Sequence, residues 1–149
     1  MPNVDETWDY PTPHILQMTV MPEHIDAMGH ANNCEYLKWL ESIAWDHSSC
    51  LGLGWEEYQE LDRAMVARHT ELDYLAASFE GDELLIGTWI AENDRKVSIK
   101  RIYQIVRVSD GVTVLRGHTR WVCVSIASGR PKRMPPAFVE GYALTVPTV

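Results

Sequence analysis

The stretch His24-Ile25-Asp26-Ala27-Met28-Gly29-His30-Ala31-Asn32-Asn33-Cys34-Glu35-Tyr36-Leu37 gathers two carboxylates, two imidazoles, two adjacent carboxamides and a glycine, and it ends in a helix start signal. The first turn of a helix has backbone N–H groups without intrahelical partners, and the helix dipole adds partial positive charge there. Such groups can bind a carbonyl oxygen as negative charge develops on it. A carboxylate beside them could attack that carbonyl or activate a water against it. Both halves of an acyl-transfer site are therefore present in one loop.

Each residue also has a plainer reading. Asp26 could only brace the loop by accepting backbone N–H bonds, as Asp does in many turns. Asn32 and Asn33 would cap a helix in any protein, although the backbone amides matter under either reading. His30 could be a structural loop histidine. Cys34 lies in the first helical turn, where the dipole lowers a thiol pKa, but no His stands in a fixed relation to it. His24, Asp26 and His30 match none of the common zinc spacings. The chain contains no G-x-S-x-G elbow and no G-x-x-x-x-G-K loop, so serine-hydrolase and P-loop chemistry lack their key residues.

The elements that must hold this loop follow from periodicity. From His14 to Met21, Leu16, Met18 and Val20 alternate with Gln17 and Thr19, the period-2 pattern of a half-buried strand. Pro22 to Asn32 has neither period and reads as a loop. From about Asn33, the positions Leu37, Leu40, Ala44, His47 and Leu51 recur at helical spacing, with Tyr36 and Ile43 widening the stripe, and Gly52 and Gly54 close it. That predicts a helix near 28 Å long at a rise of about 1.5 Å per residue. Trp39 and Trp45 fall outside the strict stripe, so more than one helix face should be covered. Ala64 to Tyr74, Leu84 to Glu92, Val97 to Val108 and Val112 to Ile126 are rich in strand-forming residues. Tight turns separate them, and turns so short predict antiparallel neighbours. The expected class is α+β, one long helix and an antiparallel sheet of about five strands, in the order βαββββ. With one helix for one sheet, pairing with a second copy is also expected.

Composition bounds the rest. The 149 residues fit one domain, read as 1–149 with a 1–13 N-terminal extension and a 137–149 C-terminal tail. No run approaches the roughly 20 apolar residues of a membrane helix, and Met1 to Pro13 shows no export signal, so a cytoplasmic location is expected. Cys34, Cys50 and Cys123 are odd in number and scattered, which argues for reduced thiols. A net charge of −8 opposes non-specific nucleic-acid binding, and a polyanionic small ligand would need a local basic patch. Arg130, Lys132 and Arg133 form the densest one; a solvated loop would equally account for it.

The string Asp26-Ala27-Met28-Gly29-His30-Ala31-Asn32-Asn33, followed by Tyr36 and Glu41, resembles the D-x-x-G-H-V-N-N-x-x-Y signature of hotdog-fold acyl-CoA thioesterases of the 4-hydroxybenzoyl-CoA thioesterase type. Glu71-Leu72-Asp73-Tyr74-Leu75-Ala76-Ala77 with Gly81-Asp82, and Gly129-Arg130-Pro131-Lys132-Arg133-Met134-Pro135, are similar to two further family segments. The resemblance spans roughly Ile15 to Pro136. It implies a hotdog fold, a long central helix wrapped by the sheet, and hydrolysis of an acyl-CoA or acyl-carrier-protein thioester without a cofactor. It implies that Asp26 is the nucleophile or general base and that the helix-start amide at Asn33 is the oxyanion donor, with Asn32 assisting. His30 and Glu41 fall in secondary roles, Glu41 polarising water or holding the loop. Gly29 and Tyr36 are expected to contact substrate, and Arg130, Lys132 and Arg133 the coenzyme A phosphates. A homodimer or a dimer-of-dimers tetramer is implied as well. Plant acyl-carrier-protein thioesterases carry D-x-N-x-H-V-N-N, and Met28 and Ala31 depart from it. A non-catalytic acyl-CoA sensor and a hotdog hydratase are the alternatives, and Met28 breaks the hydratase Asp-x-Asn-x-x-His pattern.

Overall fold

A computed structural model describes residues 4–147. Five strands, β1 (His14–Thr19), β2 (Ala64–Tyr74), β3 (Glu83–Asn93), β4 (Ser98–Arg107) and β5 (Thr113–Val124), form one antiparallel sheet in the order β1-β3-β4-β5-β2. The long helix α1 runs from Asn33 to Cys50, and two short helices follow, α2 (Trp55–Leu61) and α3 (Pro136–Gly141). The α+β class and the limits of α1 hold, and so does the expected βαββββ order except that α2 and α3, not expected from the sequence, are added to it.

α1 lies on one face of the sheet because its apolar stripe meets the inward residues of alternating strands. Tyr36, Trp39, Leu40 and Ile43 pack with Leu84, Ile86, Tyr103, Ile105 and Leu115. Each such aliphatic side chain contributes roughly 1.5–3 kcal/mol on burial. A second cluster continues past the helix end, where Tyr58 of α2 and Phe138 of α3 join Met65, Ile90, Ile99 and Tyr142. Leu37, read as part of the stripe, is instead exposed. It sits one helical turn beyond Asn33, on the side of α1 turned away from the sheet. Trp39 is buried and Trp45 exposed, the latter resting edge-on against Trp55.

The short-turn rule fails once. β2 and β3 are consecutive but not neighbours: β2 is an edge strand beside β5, and β3 lies between β1 and β4. Three strand spacings, about 14 Å at roughly 4.8 Å each, separate them, and residues 75–82 are long enough to cross that distance at about 3.3 Å per residue. This crossover is pinned to the loop before α1, where Ala31 donates its N–H to the Ser78 carbonyl at 2.8 Å.

The chain ends also belong to the structure. Trp8 covers Gly87 on the sheet face opposite α1, where a Cβ would come within 2.7 Å of the indole, and Trp8 and Tyr10 meet Trp89 edge-on. Gln104 holds this segment by accepting from the Asp9 N–H and donating to the Thr7 carbonyl, both at 2.9 Å, and Arg116 pairs with Asp9. At the other end Phe138 and Tyr142 are buried, and the Thr145 N–H donates to the Ile90 carbonyl. These ends carry too few residues to show a period, so their packing depends on partners far away in sequence. No described helix is long and apolar enough to cross a membrane.

Candidate active site

The loop before α1 is built as a small hairpin. Ile25 bridges Ala31, the Asp26 N–H donates to the His30 carbonyl at 3.0 Å, and the Gly29 N–H donates to the Asp26 carbonyl at 3.0 Å. Gly29 closes the turn at φ +83°, a left-handed conformation that side chains disfavour. The Asp26 side chain is part-buried. One of its oxygens accepts from the Met28 N–H at 2.9 Å, and the same oxygen is 3.9 Å from His30 Nδ1. Its second oxygen has no hydrogen bond among the described residues.

Asn32 is the N-cap. Its Oδ1 accepts from the Cys34 N–H at 2.8 Å, its carbonyl accepts from the Glu35 N–H at 3.0 Å, and its own N–H donates to the His24 carbonyl at 2.9 Å. The capping role is therefore taken by Asn32. Asn33 is the first helical residue, exposed, and no acceptor among the described residues takes its N–H. An unclaimed donor at the positive end of α1 can stabilise a developing oxyanion.

Beside this amide is a pocket of about 460 Å³, counting its open mouth, lined by His30, Asn33, Tyr36, Tyr74, Leu75 and Ala77 among others. Burial pushes the Tyr36 hydroxyl above its ordinary range, with Ser78 beside it pulling the other way, so at neutral pH it is a hydrogen-bond donor. Tyr74 closes over the helix start, donating its hydroxyl to the Asn33 carbonyl at 3.2 Å. Met28, Leu75 and Phe79 are also exposed around this end of the molecule. The pocket wall from Tyr74 to Ala77 is the end of β2 and the start of the crossover, which spacing rules did not place against the loop. The signal for it was the Glu71-to-Ala77 segment.

The fold thus brings Asp26, Gly29, His30, Asn32, Asn33 and Tyr36 together. Glu41 is exposed and about 12 Å further along α1 at a rise of roughly 1.5 Å per residue. Arg130, Lys132 and Arg133 follow β5, beside the Ala64 end of β2, where the Ser125 N–H donates to the Arg130 carbonyl and Arg63 donates to the Arg133 carbonyl. They are exposed, and within one chain the length of β2, about 33 Å at roughly 3.3 Å per residue, separates them from the pocket at its Tyr74 end.

Among the described residues two groups could hold a metal ion, His14 with Asp46 and Cys50, and His69 with Glu71 and His118, each with its ligand atoms within 4.8 Å of one another. Neither is in the loop. His24 does not turn toward Asp26; its Nδ1 accepts from the Met21 N–H and its ring meets Trp39. Cys34 is exposed on the first turn of α1.

A family model for the thioesterase-like superfamily matches residues 20–141. No curated protein matches the chain in sequence. Among solved structures, a Staphylococcus aureus protein determined in complex with CoA superposes with a TM-score of 0.84 at 18% identity, covering 93% of this chain and 88% of that one. A 1,4-dihydroxy-2-naphthoyl-CoA thioesterase from Synechocystis gives 0.78 at 17% identity, over 88% and 96%. A DHNA-CoA thioesterase from Staphylococcus aureus gives 0.78 at 21% identity, over 86% and 87%. At these identities the likeness is one of fold.

Proposed function

The chain belongs to the thioesterase-like superfamily, and on that premise we propose that it hydrolyses an acyl-CoA or acyl-carrier-protein thioester, with Asp26 as the working carboxylate. One observation carries the reading: the pocket lined by Asn33, whose helix-start N–H is unclaimed, is also lined by His30, and His30 Nδ1 is 3.9 Å from Asp26, a part-buried carboxylate with one oxygen free of hydrogen bonds among the described residues. In this reading the thioester carbonyl oxygen accepts from the Asn33 N–H, and Asp26 either attacks the carbonyl carbon or takes a proton from the attacking water. The C–S bond breaks, the sulfur leaves as thiol, and water supplies the hydroxyl of the free acid. His30 orients Asp26, and Tyr36 and Gly29 shape the acyl entrance. The solved relative in complex with CoA supports a CoA thiol.

The remaining parts of the site come from a second copy. β2 has a sheet partner on one side only, so its outer edge can pair. Antiparallel pairing of β2 with its own copy sets the Ala64 end of one strand against the Tyr74 end of the other. Arg130, Lys132 and Arg133 of one subunit then stand beside the loop of the next, where they neutralise ligand phosphates. A binding protein without activity is the second reading, favoured by the Asp26 oxygen that already accepts from the Met28 N–H as a brace.

Asp26→Asn separates the two, because Asn keeps the size and much of the bracing but is neither a nucleophile nor a useful base. Thiol release from a panel of short, long and aromatic acyl-CoAs is the assay. The variant should melt like the parent and lose roughly 10²- to 10⁴-fold in kcat. Retention of more than about a tenth of kcat in a normally folded variant removes Asp26 from the chemistry. In the same assay His30→Ala should cause a moderate loss and Cys34→Ser little change.

A further inference from the structure

At the other end of α1 lies a second cavity, about 320 Å³ counting its open mouth, lined by Trp45 and Ser48 of α1, Tyr58, Arg101, Trp121 and Tyr142 among others. Its charged wall is out of the ordinary. Arg101 is 2% exposed, and a guanidinium is not deprotonated in proteins, so the charge persists in the interior. Arg63, Arg95, Arg107, Arg116 and Arg120 form the arginine ion pairs of the described residues; Arg101 forms none.

What Arg101 touches does not offset its charge. Its Nη1 donates to His47 Nδ1 at 2.7 Å and to Thr88 Oγ1 at 3.4 Å. As the acceptor of that bond His47 brings no negative charge to the guanidinium. The groups nearest on the electrostatic side are the hydroxyls of Tyr58, Tyr103 and Tyr142. Ser48, Tyr142 and Tyr58 form a hydroxyl chain, with Ser48 Oγ to Tyr142 Oη at 2.8 Å. Burial raises both tyrosines, so they are neutral donors. The indole N–H of Trp121 is buried beside the Tyr103 hydroxyl.

We propose that this cavity binds an organic carboxylate, its head on the Arg101 guanidinium and the hydroxyl chain, its apolar body between Trp45 and Trp121. The guanidinium has five N–H donors and two described acceptors, the three-hydroxyl chain uses two of its three O–H groups, and a carboxylate supplies four lone-pair sites and one compensating charge. The walls that are not polar, Ala44, Met65 and Ile99, favour a hydrocarbon or aromatic body over a second charge. The site is distinct from the loop: some 15 helical residues, about 22 Å at roughly 1.5 Å each, separate Ser48 from Asn33.

Binding is read without turnover, so it stands or falls separately from thioester hydrolysis. Phenylacetate and hexanoate, with their carboxamides as neutral controls, are titrated by calorimetry and by tryptophan fluorescence. Each carboxylate should bind about tenfold or more tighter than its amide, since hydrogen bonds to a charged partner are the stronger kind. Arg101→Met should abolish that preference, and Asp26→Asn should leave it. Equal affinity for acid and amide overturns the proposal, as does a preference lost in Asp26→Asn and kept in Arg101→Met, which would place the ligand at the loop. If Arg101→Met does not fold, the bromine position of 4-bromobenzoate in crystals of the parent decides. A bromine between Trp45 and Trp121 supports the site, and one anywhere else sinks it.

Discussion

Single side chains in this protein are decided by what burial does to their charge. His47 was legible as an inward position of α1 from its helical spacing, but not its state. Burial, then Arg101 and then His14 disfavour its imidazolium, against Asp46, which favours it, and the pKa falls from 6.5 to about 4. The native state is thus the poorer proton binder. The stability this provides is complete above pH 6.5 and is lost as pH falls toward about 4, because the unfolded chain takes up the proton first. The gap corresponds to roughly 3 kcal/mol as an upper order of magnitude. Denaturant melts of the parent between pH 7 and 4 should show that fall, and His47→Gln should flatten it. Equal slopes in the two proteins would show that other groups govern acid sensitivity. Asp26 is the opposite case. Its type and its place in the loop were readable, and its partners, the Met28 N–H and His30, came from the turn that Gly29 allows.

Among the elements, the strands and α1 follow from local pattern, whereas the segments that seal them do not. Trp8 lies on Gly87, where any Cβ would come within 2.7 Å of the indole, so glycine there makes room for a residue nearly 80 positions away. Gly87→Val should push the N-terminal segment off the sheet at a cost of about 1–3 kcal/mol. For a chain this size that lowers the melting temperature by roughly 2–10 °C. In the Trp8→Ala background the same change should cost much less, since the two residues share one contact. A full-sized loss in that background would place the strain elsewhere in β3. α2 and α3 escaped the pattern reading for the same reason: seven and six residues make too few turns for a period to show.

The whole molecule presents a long edge strand whose residues from Val66 to Tyr74 are almost all exposed, with only Leu72 partly covered, opposite an edge of six residues at β1. An edge of that length invites pairing. Sedimentation should show a dimer of the 17.0 kDa chain, or a tetramer of dimers, and a stable monomer at micromolar concentration would exclude the assembly. The shared site makes a further demand. Replacing Arg130, Lys132 and Arg133 together with Ala should raise KM for acyl-CoA several-fold, more so at low salt, with kcat little changed. An unchanged KM would leave the cluster as a solvated loop.

The sequence by itself determined the class, the approximate limits of the strands and of α1, and the composition of the loop at Asp26, because periods of 2 and 3.6 and the capping residues are local properties. The tertiary structure decided the rest. The strand order depends on a crossover whose short turn suggests a hairpin, and only the Ala31–Ser78 bond shows where it goes. The division of labour between Asn32 as cap and Asn33 as bearer of the unclaimed N–H needed φ and ψ. Arg101 sits at an inward position of an alternating strand, between Ile99 and Tyr103, so the sequence contained its placement. It could not show that no carboxylate meets it, since a counter-charge arrives from anywhere in the chain and only the packed interior reveals its absence among the described residues.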